Sequence, residues 1–269
     1  MKSVLLYATQ DSGMESRLQA ALEMVRLFEG HLTCLQVTPF DSFIMGDPFG
    51  GVYAMPTIVE AVGKADEAHR AGLEGRLARE GVSWNWLRYD GTPAQFVVDR
   101  SRLSDLIVTS LPSEGKGYDG PLSMTADVAV SARSPVLAVP PDSSGLDCLG
   151  PAVVAWNGAP EAAHALRLTL SMLSKASAVH VVTVSDDTTQ FPATDASEYL
   201  ARHGIASELH EWPRSGRSNA EALIDAASVL GAGYVVMGAY GYSRMREGLL
   251  GGTTRDMLHL SPVPLLLAH

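Results

Sequence analysis

Residues 3–139 and residues 153–268 repeat the same succession of short apolar runs and helical stretches, so the chain is read as two fused copies of one domain. Residues 153–158 match residues 4–10, 178–184 match 32–37, and Arg202-His203-Gly204-Ile205 matches Arg79-Glu80-Gly81-Val82. Residues 233–237 match 105–109, and Ser261-Pro262-Val263-Pro264 matches Arg133-Ser134-Pro135-Val136. The offset between copies falls from about 149 at the first run to about 123 at Gly81 and Gly204, so the first copy carries about 26 extra residues. The run Pro140-Pro141-Asp142-Ser143-Ser144-Gly145 is a linker by composition. The expected domains are residues 1–142, with an insertion near 41–57, and residues 150–269.

Within each copy, apolar runs of four to eight residues alternate with helical patterns. In the first copy the runs are residues 3–8, 32–37, 82–89, 105–109 and 135–139, with helices over 17–28, 57–80, 92–101 and 123–132. Buried runs alternating with helices predict an α/β fold in which each copy is an open, mainly parallel five-stranded sheet with helices on both faces. Residues 82–89 alternate apolar and polar positions, which suits an edge strand. The insertion at 41–57 holds glycines, prolines and the large side chains Phe43, Met45, Phe49, Tyr53 and Met55. It reads as a lid, an interaction segment or an insertion packed on the surface.

A hydrophobic content of 46% with 19% charged residues suits well-formed cores. The net charge of −10 argues against nucleic acid or an anionic membrane as partner, because both require basic surface. Of the two cysteines, Cys34 lies in an apolar run and is expected to be a buried structural thiol. No apolar run approaches the roughly 18 residues of a membrane span, and the N-terminal run is strand-like rather than a signal peptide. A cytoplasmic location is expected.

The segment richest in chemistry is near the C-terminus. The run Tyr234-Val235-Val236-Met237 stops at Gly238, Gly241 follows, and Gly251-Gly252-Thr253-Thr254 opens a helical pattern. Strand, glycine loop and glycine-opened helix together allow close backbone approach to a ligand, with helix N–H groups free to meet phosphate. Taken alone, the glycines could equally turn the chain. The first copy tips the balance, since it builds the same order with Ser110, Ser113 and Leu122 at these places, a loop one residue shorter.

This segment resembles the universal stress protein family, whose signature loop is Gly-x2-Gly-x9-Gly-(Ser/Thr). The strand end Ala155-Trp156-Asn157-Gly158, followed by Pro160-Glu161-Ala162-Ala163, and the closing Ser261-Pro262-Val263-Pro264 are similar too. The resemblance implies tandem adenine-nucleotide-alpha-hydrolase-like domains and an adenine nucleotide (ATP, ADP or AMP) held in the C-terminal copy. The implied contacts are Ala155, Trp156 and Asn157 after the first strand, Val184 at the adenine, and Met237, Gly238, Gly241, Gly251, Gly252, Thr253 and Thr254 at ribose and phosphates. Asn157 stands where the family's nucleotide-binding members carry an acid, so Mg²⁺ is not favoured. Gln10 is matched to the same place in the first copy, which is read as a degenerate, non-binding copy. The family also pairs its last strands in self-association, which residues 136–139 and 265–268 can satisfy within one chain.

The remaining motifs carry less. Among the eight histidines, His164, His180, His203, His210, His259 and His269 show no recurrent metal-ligand pairing, so no metal site is expected. There is neither a nucleophile elbow nor a P-loop. The run Arg214-Ser215-Gly216-Arg217-Ser218-Asn219 is expected to cap a helix through Ser218 or Asn219. Arg244 and Arg246 lie in the glycine loop, where they either close over phosphates or face solvent. The functional expectation is a non-enzymatic stress-response sensor or regulator that binds an adenine nucleotide. The alternative is a stress protein that binds none and acts through a protein partner at residues 41–57.

Overall fold

A computed structural model of the chain describes residues 1–39, 44–46, 52–54, 56–112, 123–184, 193–241 and 252–269. Strand β1 (Ser3–Tyr7) leads through helix α1 (Met14–Leu27) to β2 (His31–Thr38), and a small antiparallel pair, β3 (Ile44–Gly46) and β4 (Val52–Ala54), precedes α2 (Pro56–Leu77). Then come β5 (Ser83–Asp90), α3 (Pro93–Arg100), a 3₁₀ turn at Ser101–Leu103, β6 (Leu106–Ser110), α4 (Met124–Ser131) and β7 (Val136–Val139). The second half holds β8 (Ala152–Ala155), α5 (Pro160–Leu173), β9 (Val179–Val184), α6 (Ala193–Arg202) and β10 (Glu208–Trp212). It ends with α7 (Asn219–Val229), β11 (Tyr234–Gly238), α8 (Gly252–Leu260) and β12 (Leu265–Ala268).

Ten strands form one sheet in the order β10-β9-β8-β11-β12-β7-β6-β1-β2-β5. Each half therefore places its strands of this sheet as third, second, first, fourth, fifth, and every ladder of the sheet within a half is parallel. The halves meet at one antiparallel ladder, Leu265↔Ala138, Leu266↔Leu137 and Leu267↔Val136. The expected pairing of the two last strands thus occurs inside a single chain, and the open sheet edges are β5 and β10. The position of β5 agrees with its alternating sequence.

Parallel strands bury both faces, and alternate residues divide accordingly. Val4, Leu6, Leu106, Val108, Val154, Val181 and Val236 pack with α1 and α5 on one face. Leu5, Ile107, Val153, Val182, Val235 and Met237 pack with α4, α7 and α8 on the other. Helix α1 begins at Met14, three residues earlier than the apolar pattern suggests, and its buried face runs back through Arg17 and Ser16, polar residues that a hydrophobic periodicity passes over, to Met14. The extra length of the first half lies between β2 and β5. There the β3–β4 pair stands as a separate two-stranded sheet, and α2 has 22 residues against 10 in α6.

Candidate functional site

In the C-terminal half the chain leaves β8 toward β9 and later returns to β8's other side as β11, so strand order reverses between β8 and β11. Ligands of open α/β sheets lie at the strand C-terminal ends beside such a reversal. Ala155 pairs with Met237 in the ladder, which brings Trp156 and Asn157 beside Gly238. Val184 ends β9, and Gly252, Thr253 and Thr254 form the first turn of α8. Gly251, Arg244 and Arg246, like Ser113 and Leu122 of the first half, lie outside the described residues.

These residues have different tasks. The Asn157 side-chain oxygen Oδ1 accepts the Ala159 N–H at 3.1 Å, an Asx turn that shapes the entry to α5 and leaves the side-chain amide donors available. Met237 is 4% exposed and belongs to the core beneath the site. Thr254 is buried, and its hydroxyl accepts the Tyr240 N–H at 3.4 Å. Tyr240 has φ 49°, an unfavourable left-handed conformation for a bulky residue, and Thr254 helps hold it. Buried Thr254, Met257 and Leu258 repeat the phase of Thr125, Val128 and Ala129 on α4, and the Thr125 hydroxyl donates to Ser110 O at 2.7 Å. Thr254 is thus a structural threonine shared by both halves. The same phase sets Gly252 opposite Ser123, whose side chain caps α4 by accepting the Ala126 N–H.

Gly238 corrects one sequence inference. A Cβ there would stand 2.6 Å from both Ala162 N and the Glu161 carbonyl carbon, so the first turn of α5 itself demands glycine. The N-terminal half solves the same close approach in reverse. Its strand carries Ser110, and the facing helix start carries Gly13, where a Cβ would meet Ser110 Oγ at 2.4 Å. The absence of glycine at Ser110 therefore does not free Gly238 for ligand binding. Gly241 differs, since among the described residues the nearest atoms a Cβ there would meet are those of the Glu161 carboxylate, at 3.6–3.8 Å.

The N-terminal half also corrects the placement of Gln10. Ala8 N donates to Leu35 O at 2.8 Å and Trp156 N to Val182 O at 2.9 Å, which equates Ala8 with Trp156 and hence Thr9 with Asn157. Sequence spacing missed this by one residue because the β1–α1 loop has no fixed anchor. Two residues beyond, Asp11 meets Arg17, which is 1% exposed. The guanidinium donates to Asp11 Oδ1 at 2.9 Å and Oδ2 at 3.0 Å, and to Ser110 Oγ at 2.7 Å. It also donates to Tyr7 O at 3.1 Å and Thr9 O at 3.0 Å. Arg17 thus stitches the end of β1 to the end of β6, across the crevice equivalent to the β8–β11 site. The buried stripe Met14, Arg17, Leu18, Ala21 corresponds to Ala162, Ala165, Leu166, Thr169, so Ala165 replaces Arg17 in the C-terminal half. The signal was in the sequence as an arginine on an apolar helix face, six residues after an aspartate.

Beside the β8 end is a cavity of 790 Å³ whose lining includes Trp156, Asn157, Ala163, Leu166, Arg167 and Tyr199. It shares Trp156 and Asn157 with the expected site and extends between α5 and α6, away from Gly238.

No family model matches the chain, and no curated protein matches it. Solved structures do. A universal stress protein from Archaeoglobus fulgidus superposes with a TM-score of 0.77 at 17% identity, covering 99% of this chain and 96% of that one. The fold is that of the universal stress proteins. Two further tandem-length matches have this fold at 99% coverage of this chain and 92% of theirs. One is a putative universal stress protein from Pseudomonas aeruginosa (TM-score 0.61, 17% identity) and the other a functionally unknown protein from that organism (0.62, 16%). The near-complete coverage fits a tandem arrangement of two universal stress protein folds.

Smaller expectations also meet the structure. Ser218 caps α7 in a capping box with Glu221, and Arg217 pairs with Asp225 at 3.1 Å. Cys34 is a buried free thiol pushed up to about 12 by burial, and Cys148, from the linker region, is buried as well. Among the described residues no helix is long and apolar enough to cross a membrane.

Proposed function

We propose that the chain is a stress-response binding protein that holds one adenine nucleotide, ATP, ADP or AMP, at the β8–β11 end of its C-terminal half. It acts there as a sensor or regulator rather than as an enzyme. The observation that carries this reading is the contrast between the two equivalent crevices. In the N-terminal half the Arg17 guanidinium, satisfied by Asp11, Ser110 and two carbonyls, takes up the ligand end. In the C-terminal half Ala165, with no guanidinium, stands at that place, and Trp156 and Asn157 at the end of β8 also line the 790 Å³ cavity that extends between α5 and α6. The nucleoside would lie against Trp156, Asn157 and Val184, with phosphates at Gly241 and the N–H groups of Gly252 and Thr253. Asn157 contributes amide donors without charge, so a divalent cation is not required at that side chain. No nucleophile with an adjacent base stands among the described site residues, which is why the reading is of binding without rapid turnover.

Isothermal titration of the full chain with ATP and AMP, with and without Mg²⁺, tests this. One equivalent of nucleotide should bind to the wild type, and Gly241→Val should weaken binding without changing the unfolding midpoint. Absence of heat together with absence of copurified nucleotide by mass spectrometry refutes the nucleotide reading. Multiple-turnover phosphate release on the timescale of ordinary enzymes refutes the sensor reading. The inserted β3–β4 pair, which has no counterpart among the described elements of the second half, is the feature on which the alternative of a protein contact surface rests.

A further inference from the structure

Among the described residues, His180, Glu208 and His210 bring three metal-ligating atoms together at the outer edge of the sheet. The arrangement follows from strand geometry. His180 on β9 pairs directly with Glu208 on β10, so their side chains share a sheet face, and His210 shares it because alternate residues of a strand do. His180 Nδ1 lies 3.1 Å from His210 Nε2 and 3.5 Å from a Glu208 carboxylate oxygen, which is 3.7 Å from His210 Nε2. Metal–nitrogen bonds of roughly 2.0–2.1 Å in a tetrahedral site imply ligand–ligand edges of about 3.3 Å. The observed triangle brackets that value. Two imidazoles and one carboxylate are also the donor set that borderline divalent transition ions take, with a fourth position left for water.

We propose that His180, Glu208 and His210 bind one divalent transition-metal ion, with zinc(II) as the reference. The ion accepts lone pairs from His180 Nδ1, His210 Nε2 and a Glu208 oxygen. Each neutral imidazole then carries its hydrogen on the distal nitrogen, Nε2 of His180 and Nδ1 of His210. The side chains of His180 and His210 are 10% and 25% exposed and that of Glu208 72%, so the imidazoles form the sunken base of the site and the carboxylate reaches it from solvent. His180 lies four residues before Val184, about 13 Å back along β9 from the ligand end. It is on the opposite sheet face from α5, so this site does not rest on the nucleotide reading. The fold does not require the trio. The matching ladder positions of the N-terminal half are Thr33, Asn85 and Leu87, where the Thr33 hydroxyl donates to Asn85 Oδ1 at 2.8 Å.

The test is titration of the full chain with cobalt(II), read by tetrahedral d–d absorption, and with zinc(II) against a chromophoric chelator. Substitutions are taken from the other half, His210→Leu and Glu208→Asn, together with Glu208→Gln, whose exposed side chain cannot be essential to folding. One equivalent should bind the wild type, His210→Leu should abolish the spectrum, and either Glu208 variant should weaken zinc at least about tenfold. Histidine ¹⁵N spectra should show both rings fixed in the stated tautomers. The proposal is overturned if no one-equivalent cobalt spectrum develops, or if binding persists unchanged in His210→Leu and Glu208→Gln. In that case His180 and His210 only share a hydrogen bond.

Discussion

Replacing Arg17 by methionine measures how firmly the N-terminal crevice is closed. Methionine keeps the aliphatic length and the packing against α1's neighbours but removes every donor. Three neutral acceptors, Tyr7 O, Thr9 O and Ser110 Oγ, lose their partner in a part-buried site, at about 1 kcal/mol each. The Asp11 carboxylate is 38% exposed, so it regains water and adds little, unlike a fully buried ion-pair partner. The expected loss is about 3 kcal/mol, or about 5 °C in Tm for a chain of 269 residues melting as one unit. Arg17→Lys keeps the charge but cannot span the β1 and β6 ends, and should lose about half as much. Asp11→Asn should cost under about 1 kcal/mol, for the same reason of exposure. Urea unfolding followed by tryptophan fluorescence is a suitable assay, with Trp84 and Trp86 in the first half and Trp156 and Trp212 in the second. Arg17→Met within about 0.5 kcal/mol of wild type would refute the closure argument, because surface substitutions have that size.

The two loop glycines should separate cleanly. Gly238→Ala forces a Cβ against the backbone of Glu161 and Ala162 and should lower stability by about 1–3 kcal/mol, whereas Gly241→Ala should change stability by less than about 0.5 kcal/mol, both by thermal melts. Burial holds His69 below its ordinary value, against the opposing pull of Asp66. The unfolded chain then binds more protons than the folded one just below pH about 6.5, so stability falls as pH drops through that value, by at most about 1.4 kcal/mol per pH unit. His69→Gln should make the slope shallower, and an unchanged slope would show that His69 is not held neutral. The thiols of Cys34 and Cys148, each pushed up to about 12 by burial, should resist alkylation in the folded protein and react on unfolding.

Several features were legible along the chain because their causes are local. Apolar runs marked the strands, the capping chemistry at Ser218 marked the start of α7, and matched glycines and prolines exposed the duplication. The resemblance to the universal stress protein family in turn implied the β7–β12 ladder, since that family pairs its last strands and two fused copies supply both. Where the structure adds to the reading of the glycine loop, the missing information was spatial. Gly238 answers the backbone of α5, Thr254 answers Tyr240, and Thr9 rather than Gln10 is level with Asn157, none of which is fixed by spacing within a loop.

By itself, then, the sequence determined the order of elements, the tandem α/β architecture and the strand ends at which a ligand would sit, because hydrophobic period and turn chemistry act over a few residues. Only the tertiary structure decided that Arg17 closes one crevice while Ala165 replaces it in the other, and that His180 meets Glu208 and His210 across a ladder. Those contacts join residues up to 93 positions apart, as between Arg17 and Ser110, and they depend on strand register and helix phase, quantities set by packing the whole sheet.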